Sequence, residues 1–158
     1  EALESIDNKL LGLFRFGIGL AKKVLIANVL GVEADRVFAM GEGDLTTSIA
    51  WLGILAYTFQ IYYDFSGYSD MAIGLGRVLG FKFPENFNNP YVSQSITEFW
   101  RRWHISLSTW VRDYVFYPML NFKSSKLRLF VSVFATLFLI GIWHGAGWNF
   151  VIFGTLKF

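Results

Sequence analysis

Apolar positions in this chain gather into long blocks, and the polar positions between them mark where elements begin and end. Leu10 to Leu30 is apolar but carries Arg15, Lys22 and Lys23. That pattern predicts a helix that either spans a bilayer with its basic side chains reaching outward or lies at the interface. Ile49 to Tyr63 predicts a cleaner span, with tryptophan near one end and tyrosines at the other, as aromatic anchors at two interfaces would be. Leu127 to Trp143 predicts the clearest span of all. Crossing the hydrocarbon takes about 20 residues, so the last two need flanking residues or a locally thin bilayer.

Ser66 to Phe81 is rich in small residues, with Ala72, Gly76 and Gly80 at four-residue spacing, and reads as a separate re-entrant or interfacial piece against which another helix packs closely. Pro84 and Pro90 bracket Glu85-Asn86-Phe87-Asn88-Asn89, a polar turn. A helix then starts at the capping box Ser95-Ile96-Thr97-Glu98, whose serine and glutamate each satisfy a free backbone donor. Turning about 100° per residue from there puts His104 on a stripe with Trp100, Leu107, Val111 and Val115, pointing into the protein, and Pro118 closes the helix. The chain begins at Glu1 and stops at Phe158 inside an apolar run from Trp148 that reads as the start of a further membrane segment. The expected fold is all-α, a polytopic integral membrane helical bundle of which this chain is a fragment.

Composition supports the membrane setting: of 158 residues, 54% are hydrophobic and 19% aromatic, with 17 phenylalanines, which leaves little polar material to cover a soluble surface. The net charge of +2 is too small to imply a nucleic-acid partner. No cysteine is present, so disulfides, zinc thiolate sites and thiol catalysis are excluded.

Chemistry then falls to the two histidines. His144 ends the charge-free run from Leu129, and an ionisable group there has to face protein, water or substrate rather than lipid. His104 sits in equally aromatic company, between Trp103 and Ile105. In an apolar pocket desolvation favours neutral imidazole, the form that accepts a proton from a hydroxyl. Trp143-His144-Gly145 would place such a base at a bend where a small residue admits substrate. Ester formation from an activated acyl donor needs little beyond that base, positioning and oxyanion stabilisation. The His-x4-Asp pattern of glycerol-lipid acyltransferases is absent, since Thr109 and Asn149 follow at that spacing, and no GxSxG elbow occurs. Gly74, Gly76 and Gly80 miss the spacing of a dinucleotide loop. A bis-histidine haem site remains arithmetically open.

Four separated blocks, in order, carry a family resemblance: Tyr62–Gly76 (YYDFSGYSDMAIGLG), Phe83–Asn88 (FPENFN), Glu98–Ser108 (EFWRRWHISLS) and Trp143-His144-Gly145, with Leu20–Ala27 (LAKKVLIA) before them. Together they resemble the membrane-bound O-acyltransferases, in the branch of the bacterial alginate O-acetyltransferases, with the D-alanyl transfer proteins of teichoic acid modification as nearer cousins than the animal lipid enzymes. The resemblance covers nearly all of residues 1–158. It implies the central to C-terminal part of a single membrane O-acyltransferase domain, truncated at both ends. It further implies that His144 is the essential histidine, that His104 supports it, and that a tunnel carries an acyl group from a cytoplasmic donor to an outer acceptor. After Tyr117-Pro118 this chain reads Met119 to Ser125 where the alginate-type proteins often have a glycine-rich basic turn.

Other marked residues have two readings each. Asp64 and Asp70 either line the tunnel or pair with Arg77, and pairing is the expectation. Trp100, Trp103 and Trp143 either flank the acyl path or fill core and interface. Arg101 and Arg112 either bind the phosphates of a donor such as coenzyme A or form a solvated face. No metal and no resident cofactor is expected. The acyl donor is acetyl-CoA or a carrier-linked acyl thioester. The partners are membrane lipids, that donor, and an exported polysaccharide or a periplasmic acyltransferase, all at a bacterial inner membrane that the chain crosses several times. A non-catalytic transport or export component, with histidines gating a polar path, is the competing class. Whether the two histidines converge separates the two.

Lys123, Lys126 and Arg128 precede the clearest span, which puts that end on the cytoplasmic side. Single cysteines replacing Ser124 and Gly147 in the full-length protein are therefore expected to react with a membrane-impermeant thiol reagent from opposite sides. Labelling from one side only would make the segment re-entrant.

Overall fold

The computed structural model describes residues 5–41, 43–120, 125–145 and 147. The expected segment at 148–158 and the charge of Lys123 lie outside them. Among the described residues every regular element is helical, and the chain divides into two compact units, Glu1–Asn88 and Asn89–Phe158.

The first unit is built on a helical hairpin. Helix α1 (Ile6–Ala21) runs through a π-helical turn (Lys22–Ala27) into α2 (Asn28–Phe38), so the expected element at Leu10–Leu30 is one stretch of a longer rod. Helix α3 (Thr47–Val78) returns alongside. Sequence reading divided α3 into a span and a separate small-residue piece after Tyr63, whereas the helix is continuous. Glycine lowers helix propensity by about 1 kcal/mol per residue, but here close packing compensates. Gly12 meets Gly74 and Gly19 meets Gly67, each so closely that an added Cβ on any of the four would lie 2.5–2.7 Å from the opposite carbonyl oxygen. Both pairs repeat at seven-residue spacing, as a shallow helix crossing requires. The expected stripe of Ala72, Gly76 and Gly80 is not the contact: Gly76 faces the Phe83 ring, and Gly80, at φ 82, lies beyond the helix in open space.

Three basic residues of the first rod, Arg15, Lys22 and Lys23, turn toward α3 rather than outward. Arg15 pairs with Asp70 (2.9 Å) and Glu85, Lys22 with Asp70 (2.6 Å), and Lys23 with Asp64. The expected pairing of Asp70 with Arg77 does not form. Seven residues separate them by about 10 Å of rise along one helix, while α1 lies alongside; Arg77 instead donates to Asn8 Oδ1 at 2.9 Å. The segment predicted as a polar turn after Pro84 is an extended strap lying back on α3. Phe83 covers Gly76, Asn86 donates to Ser69 Oγ (3.1 Å), and Phe87 meets the rings of Tyr62 and Phe65 edge-on.

The second unit contains a 3-10 turn (Pro90–Val92), α4 (Ile96–Arg102), α5 (Ile105–Val111), a π-helical turn (Arg112–Phe116), the single turn α6 (Tyr117–Met119) and α7 (Lys126–His144). The predicted continuous helix from Ser95 to Pro118 is therefore broken, at His104. Helix α7 is the one helix among the described residues long and apolar enough to cross a membrane. Its 19 residues rise about 28 Å, close to the hydrocarbon thickness. Its hydroxyls are satisfied within the helix: Ser132 Oγ donates to the Arg128 carbonyl (2.8 Å) and Thr136 Oγ1 to that of Ser132 (2.7 Å).

Gly19→Ala in the full-length protein is expected to lower its melting midpoint in detergent, because the new methyl meets the Gly67 carbonyl and the Met71 amide; overpacking of this kind typically costs about 1–3 kcal/mol. Gly17→Ala, with nothing within 4 Å of the added carbon, is expected to leave the midpoint unchanged or raised. Equal midpoints for the two variants would remove the close-contact account.

Candidate active site

Local sequence explains why the chain stops and restarts at His104. Ser95 Oγ accepts from the Glu98 amide (3.1 Å), as the capping box predicts, while the Glu98 carboxylate accepts from the Gln94 amide (3.0 Å), one residue earlier than expected. That bond, followed by the one from Arg102, holds the partly exposed Glu98 carboxyl below its ordinary range. Trp103 is then extended and His104 takes a left-handed conformation, φ 45 and ψ 54. Its carbonyl accepts from the Ser108 amide (3.0 Å) to open α5. For a residue with a Cβ this backbone costs about 1–2 kcal/mol, and strain of this kind gathers at functional sites. A ring cluster braces it. Trp103 stacks on Phe99 at 5.6 Å between centroids, and Tyr91, from the 3-10 turn, stands 6.3 Å from Phe99 and 6.2 Å from Trp103.

The two histidines converge on Trp143. Its ring lies 5.9 Å from His104 and 5.1 Å, edge to face, from His144. His104 is half-buried, whereas His144 and Trp143 are exposed at the end of α7. Burial pushes the His104 imidazolium down to about 4, with His144 nearby adding a smaller effect in the same direction. His104 is therefore neutral at pH 7. His144 Nδ1 stands 2.7 Å from the Ile140 carbonyl oxygen. A carbonyl only accepts, so Nδ1 carries the proton and Nε2 is the basic nitrogen.

Of the other expected site residues, Trp103 belongs to the ring cluster, and Trp100 packs edge-on against Phe99 at 5.3 Å. Arg101 is exposed. Arg112 pairs with Asp113 (2.8 Å) and lies over the Tyr117 ring. Sequence reasoning missed Tyr91, Phe99 and the Ile140 carbonyl. A carbonyl carries no residue-type signal, and Tyr91 and Phe99 are ordinary aromatics in an aromatic-rich chain.

The model of the membrane-bound O-acyltransferase family matches residues 4–158. The chain belongs to that family. Among membrane-bound O-acyltransferase relatives, it is 55% identical over 150 residues to a protein of Azotobacter vinelandii named "Probable alginate O-acetylase AlgI", covering 95% of this chain and 30% of that one. It is 45% identical over 153 residues to the peptidoglycan O-acetyltransferase of Helicobacter pylori, covering 94% of this chain and 28% of that one. To the teichoic acid D-alanyltransferase of Bacillus subtilis it is 37% identical over 150 residues, covering 90% and 35%. The chain thus spans about a third or less of the length of these relatives.

The depressed His104 value fixes a pH dependence for this membrane-bound O-acyltransferase segment. The folded state binds fewer protons than the unfolded chain between about pH 6.5, the ordinary histidine value, and about pH 4. The contribution to stability is therefore full above pH 6.5 and is lost as pH falls toward 4. NMR of full-length protein labelled in its histidine rings, assigned with His104→Gln, is expected to keep the His104 signal neutral at pH 5.5. Half-protonation near pH 6.5 would contradict the burial.

Proposed function

We propose that this chain is part of a polytopic inner-membrane O-acyltransferase that esterifies hydroxyls of an exported polysaccharide with acetyl groups, and that His144 is its general base. The observation that carries this reading is the convergence of His104 and His144 on Trp143, with His104 held neutral by burial. The relatives' names, alginate O-acetylase, peptidoglycan O-acetyltransferase and teichoic acid D-alanyltransferase, share acyl transfer onto a cell-envelope polymer.

In this mechanism His144 Nε2 takes the proton of the acceptor hydroxyl as its oxygen attacks the carbonyl carbon of an acetyl thioester, from acetyl-CoA or a carrier. The tautomer set by Ile140 leaves Nε2 basic for that step. The tetrahedral intermediate collapses by breaking the C–S bond, and the proton held on His144 passes to the leaving thiolate. Neutral His104 donates a ring N–H to the thioester oxygen, stabilising the charge that develops there. Trp143, Trp100 and Trp103 line the acyl path, and Arg101 meets donor phosphate. Arg112, already paired with Asp113, is the weaker candidate for that contact.

In the full-length protein His144→Ala is expected to lower polymer esterification by about 10²- to 10⁴-fold with membrane expression intact, and His104→Ala to lower turnover by about 10² to 10³. Wild-type ester content in His144→Ala would falsify the base assignment and favour a transport role.

A further inference from the structure

A cleft of about 330 Å³ opens on the first unit, lined by Lys23, Asp64, Phe65, Tyr68 and Met71. Phe65 and Met71 give it an apolar wall, Tyr68 is largely exposed, and the Lys23–Asp64 ion pair stands half-exposed on it, at 41% and 35% side-chain accessibility. Lys23 sits in the π-helical turn, where it and Lys22 reach two different carboxylates on α3, Asp64 and Asp70.

Given the membrane reading above, the level of this cleft is set by α3 itself. Asp64 follows directly on the apolar run Ile49–Tyr63, whose last residues are Tyr62 and Tyr63, amphipathic rings of the kind that mark a membrane–water interface. Asp64 and Lys23 therefore lie at head-group depth. A half-exposed ion pair is tolerable there and costly a few ångströms deeper.

We propose that this cleft binds the head group of a zwitterionic phospholipid with a primary amine, phosphatidylethanolamine, its phosphate on Lys23 and its ammonium on Asp64. The protein pair is neutral overall, so a neutral dipolar head group exchanges partners with it and leaves no charge over, whereas an anionic lipid would leave one negative charge unpaired. A primary ammonium donates hydrogen bonds to a carboxylate, and a quaternary one does not. An acyl chain lies on Phe65 and Met71. The inference rests on the membrane reading but not on the role of His144.

The test is native mass spectrometry of the full-length protein released from detergent containing equal amounts of phosphatidylethanolamine, phosphatidylcholine and phosphatidylglycerol with identical acyl chains. The wild type is expected to retain phosphatidylethanolamine over the other two by about tenfold, the scale of one charge-assisted hydrogen bond. Lys23→Met is expected to abolish the preference, and Asp64→Asn, which leaves Lys23 unpaired, to reverse it toward phosphatidylglycerol. A lipid profile unchanged in both variants, or no preference in the wild type, overturns the proposal. If a charge variant does not fold, Tyr68→Ala decides: it keeps the ion pair and removes a cleft wall, so it is expected to retain several-fold less phosphatidylethanolamine, and full retention overturns the proposal. His144→Ala keeps the wild-type lipid profile whatever it does to acyl transfer, so failure of the two readings is distinguishable.

Discussion

Polar groups carried on apolar helices must find their partners within the chain, and much of this structure follows from how that is met. In water an unpaired lysine is solvated at no cost; beside hydrocarbon it costs several kcal/mol unless paired or drawn out to the interface. Arg15, Lys22 and Lys23 meet this constraint by pairing with Asp64, Asp70 and Glu85. Ser132 and Thr136 meet it with carbonyls of their own helix. His144 does the same with Ile140, and there the pairing also selects the tautomer, so one contact satisfies the backbone and prepares the ring for chemistry.

Cross-helix pairing of short carboxylates requires the helices to be close, and the glycines make them so. Aspartate reaches only a short distance from its backbone, and α1 and α3 touch backbone to backbone at Gly12–Gly74 and Gly19–Gly67. Gly67 also brings the π-helical turn near, since a Cβ there would stand 3.2 Å from that of Lys22. The glycines and the ion pairs are therefore one device. The strap after α3 adds to it, because Glu85 shares Arg15 with Asp70 while Phe83 and Phe87 cover apolar α3 surface.

In the second unit the same economy places a histidine in a strained turn. Left-handed backbone at His104 would not persist alone. Stacking of Trp103, Phe99 and Tyr91 holds the preceding residue, and α5 begins at once on the His104 carbonyl. The bend separates the His104 ring from the helical stripe on which periodicity placed it and sets it against Trp143, from α7.

The sequence by itself determined the helical class, the apolar helix ending at His144, the N-cap at Ser95 and the family, because these depend on periodicity, local hydrogen bonding and ordered motifs. It singled out both histidines, since an imidazole among aromatic and aliphatic neighbours is chemically conspicuous. Only the tertiary structure decided that α3 is continuous, that Asp70 takes Arg15 and Lys22 rather than Arg77, and that the helix breaks at His104. Each of these turns on a contact between residues far apart in sequence or on a backbone conformation that stacking supports. Helix propensity and charge spacing describe one segment at a time; an ion pair spanning 55 residues, or a glycine whose missing Cβ admits another helix, exists only once two segments have met.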